Sequence, residues 1–441
     1  MALSMADTNS SVFAETQTQG ANFLPQPSSI NDLGLGEMFV AQLILKHCFF
    51  LDAFTLKDLN ERAKLHTAII TKILDYWRQE KCVEVRGADL GDAKVNLLSL
   101  GNRYALTEGG KKRAAQLLEY DSYVGPCPVA LEDYWRQVAK QSIQVSEVTR
   151  EELEAPFQGL VIAPDLFDQL GPALIGGRTL FLYGPSGNGK TTIALKLGEV
   201  WQDNVLIPHA IHVHGHVVRV FDEISHRPVP EPDAGHGLCD RRWVRCHRPI
   251  VVAGGELSLA MLELAYNPSL KYYEAPLQLK ANNGVFIVDD FGRQQIPPQV
   301  LLNRWIIPLE NRQDFLYLHT GQKFAIPFDQ LMVFATNLEP ANLLDPAFLR
   351  RIRSKVKVRS TDRLQFIEIF RRICEQYQLA FEQSVVEYLL SQYYEVSQRT
   401  MAACHPRDLV QQIVDYCRFH RLPPILNREN IDRACRTYFI Y

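Results

Sequence analysis

The sequence predicts an α/β fold in which a parallel sheet lies between helices and carries a phosphate-binding loop. Three observations predict this fold class. The apolar run 179–183 leads through a glycine-rich segment into the helix-forming run 193–197. A second apolar run, 285–288, ends in two aspartates. Beyond residue 361, the spacing of apolar residues is helical. Together they indicate a nucleotide-binding core followed by a helical domain.

Composition limits the class of protein. A chain of 441 residues is long enough for two to four domains, and 46% hydrophobic with 22% charged residues is ordinary for a globular protein. The net charge of −3 gives no general attraction to nucleic acid or anionic membranes. Nine cysteines without repeated C-x-x-C spacing or a secretory leader predict reduced thiols. We expect a cytoplasmic protein with no membrane contact, because no uncharged apolar run approaches spanning length.

The glycine-rich segment has the spacing G-x-x-x-x-G-K-[ST] between a predicted strand and a predicted helix. Glycines let backbone N–H groups turn inward around a phosphate chain, and a helix N-terminus favours an anion. Lys190 can reach the β- and γ-phosphates, and the Thr191 hydroxyl can bind Mg²⁺. A coincidental glycine-rich loop would not explain the flanking strand and helix. The residues predicted to bind ATP are Gly184, Pro185, Ser186, Gly187, Asn188, Gly189, Lys190, Thr191 and Thr192.

Polar side chains follow two further predicted strands. Asp289 and Asp290 come directly after the apolar run 285–288, and Asn337 follows the strand at 330–335. In a phosphate-loop enzyme, Asp289 suits the role of holding Mg²⁺ and Asp290 that of activating the attacking water. Ligands of open α/β sheets bind at the carboxyl ends of the strands, so Asn337 is expected beside the phosphates.

These motifs resemble those of the AAA+ ATPases. GPSGNGKTT is similar to their Walker A motif, VFIVDD (285–290) to Walker B, and VFATN (333–337) to sensor 1. The resemblance covers about residues 150–441 and implies an ATPase in which Asn337 positions the attacking water. Most AAA+ ATPases have glutamate where this chain has Asp290, so slow, switch-like hydrolysis is the alternative to full turnover.

The same resemblance implies catalytic arginines. Residues 345–353, DPAFLRRIR, are similar to the segment that carries arginine fingers, which implies that Arg350 and Arg353 project into a neighbouring subunit's ATP site. Residues 404–409, CHPRDL, resemble sensor 2, with Arg407 facing the γ-phosphate. Because a finger cannot reach the phosphate of its own subunit, the resemblance implies a homo-oligomer, a hexameric ring as in the family.

Two alternating strands around Thr320-Gly321 predict a β-hairpin just before the sensor 1 strand. A hairpin at this place is similar to that of the AAA+ branch containing the MoxR-like proteins and the bacterial enhancer-binding proteins. It could contact a substrate or pack between subunits, and both interpretations stay open.

Residues 31–120 predict a domain that resembles a winged helix-turn-helix. Its predicted helices cover 37–48, 56–63 and 66–79, and its predicted strands 82–86 and 94–106. The run 104–110 opens a last helix, which extends through Leu118. The DNA-binding form of this fold inserts the helix at 66–79 into the major groove. Thirteen Lys/Arg accompany twelve Asp/Glu in the domain, and Asp89 and Asp92 at the predicted wing tip would repel phosphates. Docking of a protein client is therefore favoured, with DNA as the alternative.

The rest of the chain divides by composition. Residues 1–30 predict a flexible tail, 121–157 a linker with a connecting helix at 131–144, 158–358 the nucleotide-binding core, and 359–441 a helical lid. The lid is predicted as four helices, at 362–377, 383–396, 406–418 and 428–438.

Seven of the twelve histidines lie between residues 209 and 247, with Cys239 and Cys246 among them. A zinc site would explain this clustering, but no recognised ligand spacing is present, and an exposed hairpin at 210–221 is the favoured interpretation.

Two more segments have alternative interpretations. The run RRWVR, 241–245, could meet nucleic acid or acidic protein, although a charged strand edge or a subunit contact is favoured. Lys271-Tyr272-Tyr273 follows a predicted helix at 257–266 and fits either an aromatic pore loop or a packed strand end.

The leading hypothesis from the sequence is an ATP-driven, chaperone-like remodeller of a protein assembly, whose client is recruited by the winged-helix domain. The rival hypotheses are an ATP-regulated DNA-binding protein and a slowly hydrolysing nucleotide switch.

Overall fold

A computed structural model describes residues 24–88, 102–145, 147–176, 179–230, 239–343, 349–350 and 352–439. Its elements form an N-terminal unit, a parallel sheet with flanking helices, a mixed sheet and a group of C-terminal helices. None of the helices in these ranges is both long and apolar enough to span a membrane.

The helices are α1 (Glu37–Phe49), α2 (Leu56–Ala63), α3 (Thr67–Gln79), α4 (Glu108–Tyr120), α5 (Leu131–Lys140), α6 (Arg150–Glu154), α7 (Pro164–Ile175), α8 (Lys190–Gly198), α9 (Leu277–Lys280), α10 (Pro298–Asn311), α11 (Pro340–Leu343), α12 (Arg363–Gln376), α13 (Gln383–Leu389), α14 (His405–Phe419) and α15 (Arg428–Tyr438). The strands are β1 (Val83–Ala88), β2 (Asn102–Leu106), β3 (Val129–Ala130), β4 (Thr179–Tyr183), β5 (Asn204–Pro208), β6 (Ala210–Val213), β7 (His216–Arg219), β8 (Trp243–His247), β9 (Ile250–Ala253), β10 (Ala265–Asn267), β11 (Tyr272–Glu274), β12 (Val285–Val288), β13 (Gln313–Tyr317), β14 (Lys323–Pro327), β15 (Leu331–Thr336) and β16 (Ser354–Lys357).

The N-terminal unit consists of α1 to α4 and the antiparallel hairpin β1–β2. The α2 helix begins with a capping box, in which Thr55 and Asp58 each bond the other's backbone N–H. A single bridge joins Phe54 to Tyr104 on β2. This is the order of elements predicted for a winged helix-turn-helix. The predicted wing tip, with Asp89 and Asp92, lies outside the described residues.

The N-terminal unit packs directly against the rest of the chain. Its apolar core is continuous with Ala130, Ala210 and Val217 of the mixed sheet. At the same junction the Phe39 ring of α1 lies 4.4 Å from the His212 ring, centroid to centroid. The unit is therefore in contact with the sheet beside it rather than joined to it by the chain alone.

The described end of the predicted tail, residues 24–30, also makes contacts. Asp240 N donates to Leu24 O at 2.8 Å, and Pro25 forms a bridge with Cys239. The Gln26 amide donates to Lys64 O at 3.1 Å. These bonds tie this segment both to the N-terminal unit and to the region just before β8.

The central sheet has the strand order β16-β4-β15-β12-β9, and all of its neighbouring strands are parallel. One face packs against α7 and α8, through residues such as Leu170 and Ile193. The other face packs against α10, where Trp305 is fully buried against Phe286 and Phe334. Because helices cover both faces of the sheet, the buried side chains of its middle strands are apolar on both faces. The predicted fold class, a parallel sheet between helices, is confirmed.

A mixed sheet, in the order β10-β11-β7-β6-β3, packs against the N-terminal unit and shares a second apolar core with β5, β8 and the β13–β14 hairpin. Part of the predicted linker belongs to it, because β3 pairs with β6 and α5 buries Tyr134 and Val138 in the same core. The predicted hairpin at 210–221 is present as β6–β7. It is not exposed as predicted, because Ile211, Val213 and Val218 are buried in the core of this sheet.

The predicted helix at 257–266 is wrong. A short 3₁₀ turn, Leu259–Leu262, is followed by strand β10. The backbone of β10 pairs with β11, so cross-strand hydrogen bonds replace those of a helix. Tyr273 lies within β11 and is buried, and Tyr272 packs on Tyr123. Of the two interpretations of this segment, the structure favours the packed strand over the pore loop.

The remaining predicted elements lie close to their predicted positions. Strands β13 and β14 form the antiparallel hairpin expected before the sensor 1 strand. Helices α12 to α15 follow the core, and α13 continues as a π-helical turn, Leu390–Glu395. A capping box between Asp362 and Gln365 begins α12. These helices share one apolar core of their own.

Candidate nucleotide-binding site

The phosphate loop joins the end of β4 to the start of α8. Gly187 and Gly189 both have positive φ, 78° and 79°, a conformation that favours glycine. A Cβ at Gly184 would lie 2.1 Å from the carbonyl oxygen of Val358, and one at Gly187 would lie 2.6 Å from Cys404 Sγ. Gly184 and Gly187 are therefore favoured by close packing as well as by the turn.

Lys190 and Thr191, which follow Gly189, face the loop and the acidic end of β12. Lys190 Nζ donates to Gly184 O and to Pro185 O, at 2.9 Å each. Burial lowers the pKa of Lys190, although the carboxylates of Asp290 and Asp289 oppose this effect. Lys190 therefore lies between the loop and the two carboxylates, where its positive charge can bind an anion.

The Thr191 hydroxyl lies against the Asp289 carboxylate. Its Oγ1 is 2.8 Å from Oδ2 and 3.1 Å from Oδ1 of Asp289. The two residues come from α8 and from the end of β12, 98 positions apart in the chain. Hydroxyl and carboxylate oxygens are the ligands that Mg²⁺ prefers. The structure thus brings together the two residues predicted to hold the metal.

The turn after β12 is fixed on both sides. Asp289 N donates to Ala253 O of β9, and Phe291 N donates to Ala335 O of β15, at 2.8 Å each. Between them Asp290 has a positive φ of 46°, which is uncommon for a residue other than glycine. Asp290 is exposed and lines the same cavity as Lys190.

Asn337 lies where β15 ends, and it lines the same cavity. Its Oδ1 atom is buried and has no hydrogen-bond partner among the described residues. An unpaired buried amide atom is unusual, because burial without a partner costs about 1–3 kcal/mol. An amide oxygen free to accept from a water, in the cavity that Asp290 also lines, fits the predicted role of positioning the attacking water.

A cavity of about 500 Å³ opens above these strand ends. Its walls include most of the predicted site: Ser186 to Thr192, Asp289, Asp290, Asn337 and Arg407. They also include residues that the sequence did not predict: Gly159, Leu160, Val161, Ile162, Ile369, Arg372, Ile373, Gln376, Ala403 and Cys404. The unpredicted residues come from the segment before α7 and from the C-terminal helices. Apart from Cys404, which begins the segment 404–409, these residues lie in no motif, so only folding reveals them.

The C-terminal helices are bonded directly to the phosphate loop. Ala403 N donates to Asn188 Oδ1 at 3.1 Å, and Cys404 N donates to Gly187 O at 2.9 Å. Arg407 follows in the first turn of α14, with an exposed side chain that lies 3.4 Å from Asp408. The loop and the α14 N-terminus are therefore in direct contact, and Arg407 lines the cavity.

The two predicted finger residues lie elsewhere. Arg350 and Arg353 are both exposed, and neither is among the described residues that line the cavity. Arg353 immediately precedes β16, the edge strand of the central sheet. The residues 344–348 and Arg351 lie outside the described part of the chain.

Two further candidates from the sequence are a metal site within 209–247 and the basic run 241–245. In the described ranges, no group of three or more His, Cys, Asp or Glu side chains could hold a metal ion. In the run 241–245, Arg241 donates to Asn60 at 2.8 Å and Arg242 forms a buried ion pair with Asp240. Internal contacts thus engage the first two cations of that run.

The comparisons with known proteins are as follows. A family model described as "Domain of unknown function (DUF8689)" matches residues 362–437, which lie in the C-terminal helices. A search of curated proteins gave no significant match. Among solved structures, the chain is similar to NtrX from Brucella abortus in complex with ADP, with 14% identity and a TM-score of 0.38. That match covers 63% of this chain and 55% of the NtrX chain.

Two further solved structures come from Thermotoga maritima. The RuvB Holliday junction branch migration motor has 13% identity and a TM-score of 0.35, over 67% of this chain and 73% of that one. Domain III of the replication initiation protein DnaA has 13% identity and a TM-score of 0.37, over 66% of this chain and 99% of that one. The strand order and phosphate loop of this chain themselves give it the P-loop α/β fold.

Proposed function

We propose that this protein binds ATP with Mg²⁺ in the cavity above the phosphate loop and hydrolyses it. The observation that carries this proposal is the contact of Thr191 with Asp289, beside Lys190, at the carboxyl ends of β4 and β12. Three residues suited to metal and phosphate binding converge there on a cavity large enough for a nucleotide.

The residues that line the cavity fit both ATP and Mg²⁺. Backbone N–H groups of the loop and Lys190 would hold the phosphates, and Thr191 and Asp289 would hold Mg²⁺. The bound metal would neutralise charge that develops on the phosphate oxygens. The apolar residues Val161, Ile162 and Ile369, which also line the cavity, suit a base, which has flat apolar faces.

Four polar residues of the cavity have tasks in the proposed hydrolysis. Asp290 accepts a proton from the attacking water, and the Asn337 amide orients that water. Arg407 and Lys190 stabilise negative charge on the γ-phosphate. Asp290 is one methylene shorter than the glutamate usual in AAA+ ATPases, which keeps a slow nucleotide switch as the alternative.

We further propose that the active form is a homo-oligomer, a hexameric ring. Support comes from Arg350 and Arg353, which are exposed and lie apart from their own chain's cavity. In a ring these cations would complete the cavity of the adjacent subunit. Hydrolysis would then respond to assembly.

The N-terminal unit is proposed to recruit a protein client that ATP hydrolysis remodels. Two cations of α3 support this choice over DNA, because Lys72 pairs with Glu37 at 2.9 Å and Arg78 pairs with Asp75 at 3.1 Å. Phosphate contacts would need these cations free. An ATP-regulated DNA-binding protein is the alternative function.

Steady-state ATP turnover by the full-length protein tests the hydrolysis. We expect Mg²⁺-dependent turnover that falls at least about a hundredfold in Asp290→Asn, because a general base contributes that much or more. Asp168→Asn, an exposed aspartate on α7, is the matched control and should leave turnover unchanged. Equal turnover in Asp290→Asn and the parent would remove Asp290 from the mechanism, and a parent without turnover would leave only nucleotide binding.

A further inference from the structure

One buried side chain holds the turn that carries Asp290. Gln294 is 9% exposed, and its Oε1 accepts from Gly292 N at 2.9 Å. Its Nε2 lies within hydrogen-bond distance of three carbonyl oxygens: those of Asp289 at 3.0 Å, Gly254 at 3.3 Å and Asp290 at 3.4 Å. Its two N–H donors are thus shared among carbonyls of the loops after β9 and β12. A side-chain amide suits this task because it has both an acceptor and two donors.

The backbone that Gln294 holds is strained. Asp290 has φ of 46°, in the left-handed region, where a side chain costs about 1–2 kcal/mol. Such a conformation persists only where surrounding bonds over-determine it. Asp290 N donates to Asp289 Oδ1 at 3.0 Å, and Phe291 N donates to Ala335 O at 2.8 Å. The hydrogen bonds of Gln294 to carbonyl oxygens on this turn add to these two bonds.

We propose that Gln294 is a positioning residue for ATP hydrolysis, which holds the left-handed turn from which the Asp290 carboxylate reaches the cavity. This inference rests on the proposed function. An aspartate has less reach than a glutamate, so its carboxylate has less freedom to compensate for a shift of its backbone. A misplacement of about 1 Å can cost a factor of about 100 in rate.

The test compares two glutamines that are neighbours in sequence. Gln294→Met removes the amide at similar side-chain volume, and Gln295→Met makes the same change at an exposed position. We expect kcat of the full-length protein to fall at least about tenfold in Gln294→Met, with KM for Mg²⁺-ATP within about twofold of the parent. Gln295→Met should match the parent in both constants.

A double substitution separates positioning from general stability. If Gln294 acts through the Asp290 carboxylate, Gln294→Met should lower the residual single-turnover rate of Asp290→Asn by less than about twofold. A merely structural role would lower the rate by the same factor in both backgrounds, and that result would overturn the inference. Should Gln294→Met not fold, Gln294→Glu keeps the acceptor for Gly292 N but loses the donors, and the same outcomes apply to it.

The inference and the proposed function fail in different ways. A parent protein that turns over ATP, together with a Gln294→Met variant of unchanged kcat, overturns the role of Gln294 alone. A parent without any ATP turnover overturns the proposed hydrolysis, and the role of Gln294 with it.

Discussion

Gly187 is the residue at which the phosphate loop meets the C-terminal helices. Its positive φ and the 2.6 Å approach of Cys404 Sγ to the place of a Cβ both exclude a larger residue. Its carbonyl oxygen accepts from Cys404 N. This glycine therefore has a cause other than phosphate binding, the contact with the start of α14. The spacing G-x-x-x-x-G-K-[ST] leaves position 187 open, and packing supplies the reason for a glycine there.

Buried His47 on α1 predicts a pH dependence of stability. Burial lowers its pKa to about 4, and its Nε2 lies 2.9 Å from Gly125 O. The unfolded chain, with a histidine pKa of about 6.5, binds more protons between these values. The contribution of His47 to the free energy of unfolding should therefore be greatest above pH 6.5 and should decrease as the pH falls toward 4. At pH 5 this residue alone should lower the free energy of unfolding by about 2 kcal/mol.

Urea unfolding at pH 7.5 and pH 5 measures this effect. His47→Gln keeps a side-chain donor without the titration, so it should lose less stability on acidification than the parent. His420→Gln, at an exposed position, serves as the control and should behave as the parent does. An identical loss of stability in His47→Gln and the parent would show that His47 does not carry the dependence.

At the level of elements, local patterns predict most of the site and long-range contacts decide the rest. The phosphate loop and the strand-end residues Asp289 and Asn337 follow directly from the order of strand, turn and helix. Leu160 and Ala403 enter the cavity only because the segment before α7 and the segment before α14 fold against it. No periodicity marks such residues. The wrong helix at 257–266 has a similar cause, since pairing with β11 overrides the local pattern.

The exposed face of α3 predicts weak or no binding to DNA. Lys72 and Arg78 are already paired with carboxylates of the same unit. In a gel-shift titration of the full-length protein with duplex DNA, we expect no shift even at low salt. A shift that weakens steeply with salt, and that Lys72→Ala together with Arg78→Ala removes, would favour the DNA-binding alternative.

For the whole molecule, the separation of the arginines from their own cavity predicts complementation between subunits. Arg350→Ala and Asp290→Asn proteins should each lose at least about tenfold in ATP turnover. Mixed and allowed to exchange subunits, they should regain part of it, because some interfaces then pair an intact Asp290 with an intact Arg350. Exchange is followed independently with differently labelled subunits. Exchange without any recovery would contradict a finger that acts in the neighbouring subunit.

The central claim is that the phosphate loop and Lys190 gather the triphosphate of ATP. Calorimetric titration of the full-length protein with Mg²⁺-ATP tests it most directly, with Lys190→Ala compared with Lys196→Ala, a surface lysine of the same helix paired with Glu199 at 2.7 Å. We predict saturable binding by the parent and by Lys196→Ala, and a loss of affinity of at least about tenfold in Lys190→Ala, since a charged contact contributes about 1.5–3 kcal/mol. Equal affinity in all three proteins, or no binding by the parent, would contradict the account.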